Sequence, residues 1–201
     1  MSFGACGGGN KQDANEPRGN FTVDVTRASF PASQKLAEQS RMTITVKNTG
    51  EEQVPNLVVT LRSGRPGASG GGGTGSSSQD AFGYRTSQPG VADATRPTWV
   101  IDRGPDQVQR EGSGGAVTAY VNTWALGPLA KGRTKSFTWD VTPVRPGTYG
   151  IDWRVSAGLD GKAIAKLGSG RIPEGSFTVA ISNKPAQATV GPNGEVIRGG
   201  D

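Results

Sequence analysis

The sequence has 201 residues, with 22 lysines and arginines against 17 acidic residues, and no histidine. This length predicts one domain. The missing histidine and the single cysteine exclude a His-ligated zinc or haem site, a histidine-based catalytic triad and an intrachain disulfide, so we expect no cofactor and no metal. Only 33% of the residues are hydrophobic, and glycine and proline supply about a fifth, so part of the chain is expected to remain outside a packed core.

The formal net charge of +5 is widely spread. The basic surplus lies in residues 112–183, in Lys131, Arg133, Lys135, Arg145, Arg154, Lys162, Lys166 and Arg171. A nucleic-acid surface would need clustered basic groups with aromatic side chains between them, so no nucleic-acid partner is expected. A solvated, mildly basic face is predicted, which would attract polyanionic envelope polymers or anionic lipid headgroups through screened charge.

The N-terminus carries the only cysteine, Cys6, directly after the small residues Gly4 and Ala5. This arrangement resembles the end of a bacterial lipoprotein signal, in which the cysteine receives lipid and becomes the mature N-terminus. Residues 7–20 are rich in Gly, Asn and Gln without apolar periodicity, as is typical of a flexible tether. We therefore predict a lipobox-like start and tether over residues 1–20, with lipidation at Cys6 and export to the cell envelope. The alternative is a free thiol in a frayed cytosolic terminus.

From residue 21 onward, apolar and polar residues alternate in short runs bounded by Gly, Pro, Asn and Asp, which is typical of half-buried strands. The first three predicted strands lie at 21–26, 42–47 and 57–61. Residues 63–97 break the pattern with a Ser/Gly-rich and then polar stretch, which predicts a disordered or loosely ordered insertion. The glycines 70–73 do not indicate a phosphate loop, because no Gly-Lys-Ser/Thr follows them.

Further strands are predicted after the insertion, at 98–102, 116–126, 135–141, 147–155 and 177–181. Residues 184–201 are predicted to form a flexible tail. About eight strands without a helix to cover a parallel sheet predict antiparallel sheets packed face to face. The predicted fold is an all-β, immunoglobulin-like antiparallel β-sandwich over residues 21–183.

Three aromatic residues are assigned to the structural core. Trp139 and Trp153 share their faces with in-phase apolar neighbours, which favours packing over ligand contact. Tyr149 follows Pro146-Gly147 just inside a late strand, where immunoglobulin-like folds have a tyrosine corner.

Two segments resemble a known family. Residues 42–50 read MTITVKNTG, and residues 126–149 carry a Leu-x-x-Gly loop, a strand, a turn and a Gly-Thr-Tyr strand. Together they resemble the bacterial extracellular immunoglobulin-like modules called CARDB (cell adhesion related domain found in bacteria). Asn48 and Gly50 suit the turn geometry that this pattern requires. The resemblance implies an exported, non-catalytic module used for adhesion, spacing or partner binding, with no catalytic residues to carry over.

Candidate binding residues are the other aromatic side chains. Trp124 lies near a predicted strand end, Trp99 follows the insertion, and Phe82 and Tyr84 lie within it, so all four are candidates for exposed ligand-binding contacts. The alternative for Phe82 and Tyr84 is that they hold the insertion against the sandwich.

The carboxylates Asp140, Asp152 and Asp160 are the remaining acid/base candidates. Alternation predicts that Asp140 and Asp152 lie on outer faces as solvated charges. Asp160-Gly161-Lys162 predicts a hairpin turn and lacks the ligand pattern of a calcium loop.

The sequence thus predicts a non-catalytic protein, a monomeric cell-envelope lipoprotein that displays an adhesion-type binding or scaffolding module. Its expected partners are the membrane, through the lipid on Cys6, and an envelope protein or polysaccharide. The alternative function is a carbohydrate- or peptidoglycan-binding accessory module that uses exposed aromatic side chains. A third hypothesis is an enzyme with carboxylate chemistry under the 63–97 insertion.

Overall fold

The computed structural model describes residues 15–64, 81–84, 97–105, 122–185, 188–190, 192 and 196–198. Its regular elements are the strands β1 (Gly19–Ser29), β2 (Ser33–Leu36), β3 (Ser40–Asn48), β4 (Val58–Gly64), β5 (Phe82–Tyr84), β6 (Trp99–Arg103), β7 (Thr123–Ala125), β8 (Thr134–Pro143), β9 (Gly147–Ser156), β10 (Ala163–Lys166), β11 (Glu174–Pro185), β12 (Ala188–Val190) and β13 (Val196–Arg198). Within these ranges there is no helix with the length and apolar character needed to cross a membrane.

Two sheets form the body of the fold. Sheet 1 has the strand order β10-β1-β3-β8-β6-β5, and sheet 2 has the order β2-β11-β9-β4-β7. Side chains that alternate along the strands point into a common core between the sheets. The predicted fold class, an immunoglobulin-like all-β sandwich, is therefore confirmed.

The sequence predicted antiparallel sheets, but three strand pairs are parallel. β10 runs parallel to β1, β2 runs parallel to β11, and β5 runs parallel to β6. The first two pairs arise because the chain changes sheet: β1 in sheet 1 continues into β2 of sheet 2, and β9 in sheet 2 continues into β10 of sheet 1. These short strands lie at the edges of the sheets.

The core contains the residues that the alternation placed inward. Phe137, Trp139 and Val141 of β8 are fully buried, and Trp153 of β9 is nearly so. Trp139 stacks on Phe137 with 5.9 Å between ring centroids. Burying side chains of this size supplies much of the hydrophobic stabilisation.

The predicted tyrosine corner is present. The hydroxyl of Tyr149 donates a 3.0 Å hydrogen bond to the carbonyl oxygen of Pro146. Gly147 has a φ of 140°, and a Cβ there would lie 3.1 Å from the Tyr149 hydroxyl, so this position favours glycine.

Several predicted segments differ in the structure. Inside the insertion predicted at 63–97, Phe82–Tyr84 forms β5, and in the predicted tail β12 pairs with β13. Of the strand predicted at 116–126, the described part is β7, and residues 116–121 lie outside the described residues. Cys6 and the first fourteen residues also lie outside them.

Candidate functional site

Three of the four aromatic binding candidates are buried, so the exposed aromatic surface predicted from them is not formed. Trp99 is 0%, Trp124 2% and Phe82 3% exposed. Phe82 stacks on Trp99 at 5.3 Å because β5 pairs with β6 and places both rings on the inner side of sheet 1. Tyr84 ends β5, and its side chain lies outside the described part of the structure.

Trp124 is buried because β7 pairs with β4 and turns alternate side chains inward. Its ring meets Trp139 edge to face, with centroids 5.3 Å apart. On the other side of the same strand pair, the Thr60 and Thr123 hydroxyl oxygens lie 3.1 Å apart. Trp124 therefore forms a core contact between the two sheets and is not an exposed binding residue.

Asp140 requires a correction as well. It lies on the outer face of sheet 1, as predicted, but it is only 6% exposed and is not a solvated charge. The register sets Arg41 directly opposite, and its guanidinium donates to both Asp140 carboxylate oxygens at 2.7 and 3.2 Å. This hydrogen bonding and the charge of Asp140 raise the pKa of Arg41.

The three predicted carboxylates are not brought together. Asp140 belongs to sheet 1 and Asp152 to sheet 2, so they lie on opposite outer faces of the sandwich. Asp160 lies in the β9–β10 loop and forms a 2.6 Å ion pair with Lys162. The carboxylate whose charge acts on Asp152 is that of Glu174.

A group of four charged side chains on the outer face of sheet 2 forms the candidate functional site. The register sets Arg62 of β4 opposite Asp152 of β9, and Arg154 of β9 opposite Glu174 of β11. We call the outer surface that carries these four residues the β4–β9–β11 face. They point outward because they alternate with inward residues such as Trp153.

Asp152 has a distinctive environment on this face. Gly64 and Gly150 are paired beside it, and a Cβ at Gly64 would lie 2.8 Å from the Asp152 carboxylate atoms. The carboxylate thus lies over glycine backbone and loses part of its contact with water. Partial burial, together with the nearby charge of Glu174, raises the pKa of Asp152.

The four charged side chains are not paired with one another. Among the residues that the structure describes, no ion pair or side-chain hydrogen bond involves Arg62, Asp152, Arg154 or Glu174. Two neighbouring carboxylates beside two guanidinium groups can pair with charges of either sign on a partner. No group of three or more potential metal-ligating side chains occurs in the described ranges.

Sequence analysis did not single out Glu174. The alternation of Glu174, Ser176 and Thr178 with Phe177 and Val179 could have assigned it to the outer face. Its proximity to Asp152 depends on the register between β9 and β11, which the alternation of either strand does not specify.

Comparison with known proteins finds no matching family model and no matching curated protein. Among solved structures, the CARDB domain of a Pyrococcus furiosus protein, in complex with di-metal ions, is 14% identical; the match covers 87% of this chain and 100% of that chain, with a TM-score of 0.41. Escherichia coli native alpha-2-macroglobulin, from domain MG7 to the C-terminus, is 12% identical over 87% of this chain and 21% of that chain, with a TM-score of 0.41. Listeria innocua beta-glucosidase in complex with glucose is 11% identical; the match covers 82% of this chain and 16% of that chain, with a TM-score of 0.32. A CARDB domain is thus among the solved structures to which this chain is similar.

Proposed function

We propose that the protein is a non-catalytic, lipid-anchored cell-envelope module that displays its β-sandwich for binding or scaffolding, and that it binds an envelope protein through the β4–β9–β11 face. The observation that carries this proposal is the set of four charged side chains on that face that are not paired with one another. Groups already held in ion pairs, such as Arg41 with Asp140, would have to break them in order to bind a partner.

The chemistry of the face favours a protein partner. It carries two cationic and two anionic groups close together, Arg62 and Arg154 beside Asp152 and Glu174. A protein surface offers both signs of charge, whereas an anionic polymer would meet repulsion from both carboxylates. The aromatic rings of Phe82, Trp99 and Trp124 are packed in the core, so a sugar has no access to them for stacking.

The membrane anchor is proposed from the sequence. Cys6 after Gly4 and Ala5 has the lipobox-like pattern, and the polar residues up to about 20 have the composition of a tether. One acyl chain gives only marginal membrane binding, so we propose the multiple acylation found on bacterial lipoproteins.

Intact mass spectrometry of the protein isolated from its own membranes tests the anchor. The expected result is a mature chain that begins at Cys6 and carries the mass of a diacylglycerol group, with Cys6→Ser as the unmodified control in the soluble fraction. An unmodified thiol at Cys6 in the native protein would contradict the anchor without affecting the proposed binding face.

Site-directed photo-crosslinking in native cells tests the binding face. A photo-reactive amino acid at Ser176, on the β4–β9–β11 face, is expected to give one discrete adduct that Glu174→Lys abolishes. Thr138 is the matched control, because it is similarly half-buried but lies on the outer face of sheet 1. A discrete adduct from Thr138 and none from Ser176 would contradict the assignment of the face.

A further inference from the structure

The side chain of Glu16 lies within the loop that joins β9 to β10. Its Oε2 accepts a 2.7 Å hydrogen bond from the backbone N–H of Asp160, and its Oε1 accepts a 2.6 Å hydrogen bond from that of Ala163. Both carboxylate oxygens are therefore held by main-chain donors from a segment more than 140 residues away in the sequence. Charge-assisted hydrogen bonds of this kind are about twice as strong as neutral ones.

Gly158 provides the space for this carboxylate. A Cβ built on Gly158 would lie 2.5 Å from Oε1 of Glu16, and closer still to Cδ and Oε2. Real carbon and oxygen atoms do not approach so closely, so any side chain at this position would displace the carboxylate. The backbone conformation of Gly158 does not itself demand glycine, since its φ is not in the left-handed region. Glycine is needed at this position only to leave room for the Glu16 carboxylate.

The backbone N–H of Ala163 needs a hydrogen-bond acceptor from outside the sheet. The N–H of Gly19 donates to the carbonyl of Lys162, which starts the parallel pairing of β1 with β10. In a parallel pair, alternate residues of a strand direct their N–H and C=O groups to the partner. The N–H of Ala163 therefore points away from β1, and the carboxylate of Glu16 satisfies it.

We infer that residues 157–163, the β9–β10 loop together with the first residue of β10, form a carboxylate-binding site whose occupant is Glu16 of the same chain. Converging backbone N–H groups are a recognised way of binding anions in proteins. Occupation by Glu16 fixes the point at which the N-terminal segment leaves the sandwich, three residues before β1 begins. An external carboxylate of small size would occupy the same position once Glu16 is removed. This inference does not depend on lipidation of Cys6 or on the β4–β9–β11 face.

Amide hydrogen exchange of the full chain, followed by NMR, tests the first part. In Glu16→Ala, and equally in Gly158→Ala, the amides of Asp160 and Ala163 are expected to exchange at least about tenfold faster than in the wild type. Two controls should leave both amides unchanged: Glu52→Ala removes an exposed glutamate outside this site, and Gly168→Ala adds a Cβ where nothing lies within 4 Å. The exchange rate of the core amide of Ile151 reports whether each variant remains folded.

Acetate is the probe for the second part. Titration of Glu16→Ala with sodium acetate, against sodium chloride at equal ionic strength, is expected to shift the Asp160 and Ala163 amide resonances saturably and to restore their protection. The wild type, whose site is filled, and Gly158→Ala, whose Cβ fills the space, should show no saturable shift. Unchanged exchange in Glu16→Ala, or an equal acetate response in Gly158→Ala, would overturn the inference.

Discussion

The indole N–H of Trp99 in β6 donates a 2.8 Å hydrogen bond to the side-chain oxygen of Gln34 in β2, and this bond joins the two sheets inside the core. Trp99 is 0% and Gln34 5% exposed. The amide nitrogen of Gln34 in turn donates to the carbonyl of Pro31 at 3.1 Å. Both ends of the buried amide are thus satisfied, as burial of a polar group requires.

Replacing either partner should therefore lower the free energy of unfolding by more than the hydrogen bond itself contributes, because the other polar group stays buried without a partner. Gln34→Leu leaves the buried indole N–H of Trp99 without an acceptor, and we expect a loss of about 1–3 kcal/mol in the free energy of unfolding, measured by urea denaturation. Trp139 gives the comparison, because its buried indole N–H has no hydrogen-bond partner among the described residues. Trp139→Phe should accordingly destabilise less than Trp99→Phe, and the reverse order would contradict the role given to Gln34.

Asn48 is predicted to be the most important turn residue. Its amide group donates to the carbonyls of Glu52 at 2.8 Å and Leu129 at 2.9 Å, and its side-chain oxygen accepts from the N–H of Gly50 at 2.9 Å. Asn48→Ala removes all three bonds, so we expect a loss of about 2–4 kcal/mol in the free energy of unfolding, measured in a urea melt. The carbonyl of Leu129 keeps its 3.0 Å bond from the N–H of Val54. Thr49→Ala, at the exposed neighbouring position, should stay within about 0.5 kcal/mol of the wild type.

Gly175 should not tolerate a methyl group. A Cβ there would lie 2.5 Å from Cζ2 of the Trp153 ring, and this ring is packed in the core. Gly175→Ala should therefore destabilise by about 1–3 kcal/mol through overpacking. Gly168→Ala is the control, since its Cβ would meet no atom within 4 Å. Equal thermal midpoints for the two variants would contradict this account.

The raised pKa of Asp152 predicts a pH dependence of stability. Because the folded-state pKa lies above the ordinary value of 3.8, the folded protein binds this proton more tightly than the unfolded chain. The stabilisation from Asp152 is therefore present at low pH and is lost as the pH rises through the folded-state pKa. Asp152→Asn should be more stable than the wild type at about pH 7, with the difference vanishing by about pH 3, as measured by urea denaturation. A difference that grows toward low pH would contradict the direction of the shift.

The tyrosine corner can be separated into its hydroxyl and its ring. Tyr149→Phe removes the hydrogen bond to Pro146 but keeps the edge-to-face contact with Trp99, whose centroid lies 5.6 Å away. We expect a loss of about 0.5–1.5 kcal/mol for Tyr149→Phe. Tyr149→Ala also loses the ring, which is partly buried against the core, and should cost about 2–4 kcal/mol in the same denaturation experiment. Equal losses for the two variants would assign the whole effect to the hydrogen bond.

Sequence patterns identified the parts of the fold that depend on a single strand. Alternation in β8 placed Trp139 inward, and the Pro-Gly before Tyr149 indicated the tyrosine corner; both are present. The same patterns were wrong about the exposure of Trp99 and Trp124, which lie in short strands with little alternation of their own. Their burial is decided by neighbouring strands, β8 beside β6 and β4 beside β7.

By itself, the sequence determined the fold class, because the two-residue period of a strand is a local property of the chain. It also determined which of the strand residues around Trp139 and Trp153 face the core. Only the tertiary structure decided the register, and with it the proximity of Asp152 to Glu174 and of Glu16 to the β9–β10 loop. The physical reason is that register results from packing all strands of the sandwich together, through contacts between residues that are distant in the sequence.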